Sequence, residues 1–204
     1  VNPNTVSIGL AQGTDALLTM SGTGVLNTTT SLLVGAYGTT LANTMKGTLA
    51  MEGSSSANIG TSVFVANGQN SSGNLVMSEN ASLSIGTALI LGNSSNASGA
   101  VTMSGGTIST GVVAPGSGTL ALGTGVGASG TLFMTGGQLN VSSHAQIAVG
   151  LGSSGTLSVK GTGEFNVGGN LITGQYSTTS AGNTSVGTLA LGGNSITSIV
   201  GAVI

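Results

Sequence analysis

The stretch GTLFMTGGQLNVSS at 130–143 decides the fold. It holds a short alternating run, a Gly-Gly break and a second short alternating run, QLNV. A near copy, GAVTMSGGTISTG, stands at 99–111. The same phrase recurs as ALLTMSGTG (16–24), GTLAMEGSS (47–55), GNLVMSENA (73–81), GTLSVKGTG (155–163) and GTLALGGNS (187–195). Its fifth residue is in turn Met20, Met51, Met77, Met103, Met134, Val159 and Leu191, at intervals of 25–32 residues. A fixed period of this size marks a repeat architecture.

Within each unit the pattern is that of strands. Runs such as TLAM alternate polar and apolar side chains, as a half-buried strand does. A third short run closes on glycine: LLVG (32–35), LILG (89–92), LALG (120–123), IAVG (147–150) and LITG (171–174). No stretch keeps helical spacing over three turns, and glycine recurs too often to allow one. The reading is an all-β parallel β-solenoid (β-helix) of about seven rungs, three strands of about four residues each, as a single repeat domain over 1–204. Rungs at roughly 4.8 Å give a column on the order of 35 Å long. Met20, Met51, Met77, Met103, Met134, Val159 and Leu191 are expected as one stacked core row. Methionine suits an irregular interior. The Gly-Gly step is expected to be a corner that needs positive φ or close approach.

The interval between third strand and next repeat expands twice, and both expansions carry a similar phrase: AYGTT (36–40) and QYSTT (175–179). They hold the only two tyrosines. Tyr37, Thr39 and Thr40, and Tyr176, Thr178 and Thr179, are therefore candidate surface-contact loops on one corner. A third insertion, TGVVAPGSG (110–118), is expected to protrude at another corner.

Composition narrows function. Six side chains are charged: Lys46, Lys160, Asp15, Glu52, Glu79 and Glu164. That is 3% of the chain, against about a quarter in an ordinary domain. Nucleic-acid binding needs clustered Lys and Arg, so no nucleic-acid partner is expected; an anionic membrane surface is excluded in the same way. At 39% hydrophobic the chain is too apolar for disorder. No run approaches the length of a membrane-spanning helix, so no membrane span is expected. With no cysteine there is neither a disulfide framework nor thiol chemistry. The chain begins at Val, which suggests a product whose targeting segment has been removed.

The phrases GTLFMTGGQLNV, GTLSVKGTGEFNVGGNLITG and GGTIST resemble the parallel β-helix repeats of bacterial autotransporter passengers and related surface-anchored proteins. The resemblance covers nearly the whole chain. It implies secretion to the extracellular space or cell surface, as an adhesin or matrix component. The family's translocator barrel and anchoring tail are not among these 204 residues.

No enzyme chemistry is expected. Glycoside cleavage needs two carboxyl groups facing one bond; Glu52 and Glu79, on neighbouring rungs near one corner, are the only candidates and read as solvated corner groups. No arginine is present to clamp a uronic acid. His144 is the sole histidine and lacks the companions that a general base or metal site requires. No cofactor is expected. Calcium-binding solenoid repeats need Asp in every turn, and only Asp15 exists. An ice-binding face needs Thr-x-Thr at one position in rung after rung, which TLAM, TMSG and TIST do not maintain. Asn-x-Ser/Thr sequons begin at Asn27, Asn70, Asn80, Asn93, Asn96, Asn140 and Asn183, several of them expected by chance in so Ser/Thr-rich a chain.

Both ends look uncapped. VSIGL near the start matches a third strand, and the last residues, SITSIVGAVI, are apolar to Ile204 with no charge in the final forty positions. Open strand edges invite pairing, and head-to-tail contacts that do not close yield filaments. The expected function is a secreted structural subunit of an extracellular filament whose main partner is itself. The alternative is a passenger fragment of an autotransporter-type surface adhesin that contacts cell-surface or matrix polysaccharide.

Overall fold

The computed structural model describes residues 2–11, 13–36, 45–114, 116–174 and 184–204. Every helix or strand among them is a strand. The chain opens with β1 (Val6–Ile8). Complete coils follow as β2 (Asp15–Met20), β3 (Val25–Thr28) and β4 (Leu32–Val34); then β5 (Lys46–Met51), β6 (Ser56–Ile59) and β7 (Val63–Val65). Next come β8 (Ser72–Met77), β9 (Ser82–Ile85) and β10 (Ala88–Leu91); then β11 (Ser98–Met103), β12 (Thr107–Thr110) and β13 (Thr119–Leu122). The last complete coils are β14 (Ser129–Met134), β15 (Gln138–Val141) and β16 (Ala145–Ile147), and β17 (Ser154–Val159), β18 (Glu164–Val167) and β19 (Leu171–Thr173). The chain finishes with β20 (Val186–Leu191) and β21 (Ile196–Ile199).

Each strand pairs, parallel, with the strands three before and three after it. The result is three seven-stranded sheets, the parallel β-solenoid that the repeat predicts. Sheet 1 runs from β2 to β20, sheet 2 from β3 to β21 and sheet 3 from β1 to β19. A single bridge, Leu171 to Val203, adds a further layer to sheet 3.

The register follows the side-chain alternation. On sheet 1, Leu49, Leu75, Val101, Leu132 and Leu157 stack inward. Leu83, Ile108, Leu139 and Phe165 do so on sheet 2, and Leu32, Val63, Leu89 and Leu120 on sheet 3. All are buried in one continuous apolar cluster from Ile8 to Leu171. A slip of one residue would turn a whole column to water, so the repeat fixes its own register.

Two details differ from the sequence reading. The sheet 1 strands are six residues long, not four. They extend backward through a glycine: Gly47, Gly73, Gly99, Gly130, Gly155 and Gly187 are successive partners, buried in all but the last. A Cβ at Gly99 would lie 2.6 Å from the Gly92 nitrogen, so the preceding corner can close on the strand only if that position lacks a side chain.

Second, the closing glycine is not obligatory. The corner after sheet 3 requires a left-handed backbone. Gly35, Gly92 and Gly123 supply it (φ 72°, 69° and 66°), but so do Ala66 (φ 66°) and Ala148 (φ 61°). The strand expected at 147–150 is therefore Ala145–Ile147, and Val63–Val65 has no final glycine to announce it. An alanine there costs about 1–2 kcal/mol. The stack offsets this cost: both methyls are fully buried, and the Ala66 and Ala148 N–H groups donate to the Val34 and Leu122 carbonyls at 2.7 Å. At the Gly-Gly corner, Gly106 and Gly137 both have φ 78°, the conformation the sequence predicts.

Candidate functional site

The methionine row lies where stacking places it. Met20, Met51, Met77, Met103, Met134, Val159 and Leu191 are successive Cα partners in sheet 1. Met51 to Val159 are sealed from solvent, and Met20 is 7% exposed. Leu191 differs: it is 53% exposed, because among the described residues no strand pairs with the outer edge of β20. It belongs to the row by register but to an end face by environment.

The first and last described strands carry the open sheet edges. β1, β2 and β3 at one end, and β20 and β21 at the other, each have a single strand neighbour. The free edge of β19 is held by 202–204: Leu171 N–H donates to the Ala202 carbonyl (2.9 Å), Ile204 N–H to the Leu171 carbonyl (2.9 Å) and Thr173 N–H to the Ile204 carbonyl (2.8 Å).

Apolar residues on the outer surface concentrate at these ends. One outward column of sheet 2 reads Val25, Ser56, Ser82, Thr107, Gln138, Glu164 and Ile196. Its middle is polar and its two extremes are apolar; Val25 is 63% and Ile196 56% exposed. On sheet 1, Leu17 begins a column that continues as Thr48, Asn74, Ala100, Thr131, Thr156 and Thr188. Val186, Val200, Val203 and Ile204 add exposed apolar surface at the far end.

Along the shaft, amides and hydroxyls form ladders between rungs. Asn58 donates to Asn27 (2.8 Å), Asn93 to Asn67 (2.6 Å), Thr124 to Asn93 (3.1 Å) and Asn166 to Asn140 (3.0 Å). Three of the sequon asparagines, Asn27, Asn93 and Asn140, are tied up this way.

Several of the polar candidates also link neighbouring rungs. Glu79 sits in a left-handed corner (φ 56°), and its carboxylate accepts the Gly53 N–H at 2.9 Å. It thus reaches down to the residue beside Glu52, which is exposed. Glu164 accepts from Gln138 at 2.9 Å. Lys160 lies 5.9 Å from the Phe133 ring centroid, within cation–π range. Lys46 is the Cα partner of Asp15. His144 accepts the Asn170 N–H at Nδ1, 3.0 Å away. Among the described residues no group of three His, Cys, Asp or Glu could hold a metal ion.

The insertion after β12 separates it from β13 by eight residues and exposes Val112 and Val113. A surface trough of about 600 Å³ runs along three consecutive corners past Asn67, Asn93 and Thr124. It has no charged or aromatic lining. Tyr37, Thr39, Thr40, Tyr176, Thr178 and Thr179 lie outside the described residues. The polar-to-apolar switch at Val25 and Ile196 was missed in the sequence. It becomes visible only when a single outward column is read down all seven rungs.

Comparison of the chain with protein-family models, curated proteins and solved structures finds no match.

Proposed function

We propose that the chain is a secreted structural protein whose columns join head to tail into an extracellular filament. One observation carries this reading: both end coils present open strand edges in the same three-sheet cross-section, and the outward apolar residues gather at those ends. An open parallel edge is a template for another strand. A heterologous contact between opposite ends does not close, so it propagates. The six charges of the chain offer little repulsion to such packing. Of the two carboxylates that sequence alone could assign to catalysis, Glu79 ties two rungs together and Glu52 is exposed, which fits a building block better than an enzyme. Secretion is the expectation that the resemblance to surface-displayed repeat proteins supplies. Negative-stain electron microscopy of the purified chain over a concentration series tests the proposal. Growing filaments support it; uniform short particles at high concentration overturn it.

The second reading is the passenger of an autotransporter-type adhesin. The observation that favours it is the lateral insertion, which holds Val112 and Val113 in solvent away from either end. Binding of the chain to polysaccharide-coated beads, lost in Val113→Asp while assembly is unchanged, would select this reading.

A further inference from the structure

We propose that the corner between sheets 2 and 3 binds an uncharged polysaccharide laid along the column. This rests on the second reading above and adds the side chains that would hold the glycan.

The insertion after β12 forms a fixed ridge at this corner. The Val112 N–H donates to the Ile85 carbonyl (3.2 Å), the Ser117 N–H to the Ala114 carbonyl (3.0 Å) and the Gly118 N–H to Ser142 Oγ (3.0 Å). The ridge leans on the coil before it: a Cβ at Gly86 would lie 3.2 Å from Val113 Cγ2. Val112 and Val113 nevertheless remain 50% and 70% exposed. Three hydrogen bonds thus hold two valines in water, where an apolar partner would be favourable.

A groove lies on either side of the ridge. One, of about 240 Å³, is lined by Asn27, Asn58, Ser84 and the two valines. The other, of about 310 Å³, is lined by Asn140, Asn166 and Ser198. The six polar residues belong to one outward column of sheet 2, which reads Asn27, Asn58, Ser84, Ser109, Asn140, Asn166, Ser198. The order Asn, Asn, Ser therefore occurs twice, with the coil that carries the insertion between. The amides face the same way in both: Asn58 donates to Asn27 at 2.8 Å and Asn166 to Asn140 at 3.0 Å. Asn27 and Asn140 are four rungs apart, about 19 Å at the usual strand spacing. A ligand that meets the same wall twice along one axis is itself a repeating chain.

The lining selects the kind of chain. It contains no charged or aromatic side chain, so a nucleic acid or other polyanion finds no counter-charge. The sheet 2 strands from β6 to β18 are paired on both sides, so a peptide finds no backbone edge to extend. Amides offer both donors and acceptors, and Asn58 and Asn166 each spend one of two N–H groups on the ladder. What remains suits hydroxyl groups, while the valine methyls suit the C–H face of a sugar ring.

The test uses the full chain below its assembling concentration on immobilised β-glucan, mannan and dextran, with heparin as the charged control. At least one uncharged polymer should be bound, and heparin should not. Asn58→Ala and Asn166→Ala, one in each groove, should each weaken that binding about tenfold, and the pair about a hundredfold. Asn93→Ala breaks a ladder of the same kind at another corner and should leave binding unchanged, which separates a lost contact from lost stability. Oligosaccharides cut from the bound glycan should gain affinity steeply once they span about 19 Å, and the gain should vanish in either single variant. Binding lost in Val113→Asp but intact in both asparagine variants, or independent of glycan length, overturns the paired grooves and leaves the adhesin reading standing. Equal weakening in Asn93→Ala, or a preference for heparin, does the same. Binding to none of the four polymers overturns both.

Discussion

Met103→Ala tests the stacked core where it is best defined. Met103 is fully buried, with Met77 as its partner on one side and Met134 on the other. The substitution removes three heavy atoms. At about 0.8 kcal/mol per methylene-sized group the lost transfer energy is about 2.4 kcal/mol. Neighbouring rungs are pinned by backbone pairing on both sides and cannot collapse into the gap, so a cavity cost adds to it. The expected loss is about 3–4 kcal/mol, inside the usual range for such truncations. Leu191→Ala is the internal reference. It sits in the same row but is 53% exposed, so its truncation should cost below about 1 kcal/mol. Urea unfolding followed by far-UV circular dichroism, at a concentration below assembly, measures both. Comparable losses at the two positions, or a loss under 1 kcal/mol at Met103, would refute the stacked interior.

Three further substitutions follow from single atoms. Thr110 is 3% exposed, and its hydroxyl is buried without a partner; Thr110→Val, a near match in shape, should stabilise the chain by about 1 kcal/mol in the same urea assay. Gly92→Ala should cost more than the about 1–2 kcal/mol of a left-handed alanine alone, because its Cβ would lie 2.5 Å from the Ser129 carbonyl oxygen even though Ala66 and Ala148 occupy the equivalent corner, whereas the β-branched Gly92→Val should abolish soluble expression or two-state unfolding. Asn93→Ala breaks the ladder from Asn67 to Thr124 and should cost about 1–2 kcal/mol, read as a fall in thermal midpoint.

How much the sequence revealed depends on what each position is asked to do. The inner rows were legible because burial forces an apolar residue at one place in every coil, as at Met77, Met103 and Met134. The break after each methionine was legible because Gly106 and Gly137 hold a backbone that other residues avoid. The corner after sheet 3 was legible only in part. Ala66 and Ala148 adopt the glycine conformation under the compulsion of their stacked neighbours, and local propensity carries no trace of that. The roles of Glu79 and His144 were hidden for a different reason. Each bonds a backbone N–H about 26 residues away in sequence, and a backbone group leaves no signature in the side-chain string. Val25 and Ile196 look unremarkable as letters and acquire meaning only as opposite ends of one column.

Helical reconstruction of the assembled protein by cryo-electron microscopy addresses the central claim most directly. Seven rungs at about 4.8 Å predict an axial rise of about 34 Å per subunit, with all three sheets continuous through the junction. Particles that stay single at every concentration, or a filament whose subunits meet side by side with the end strands still bare, would contradict it.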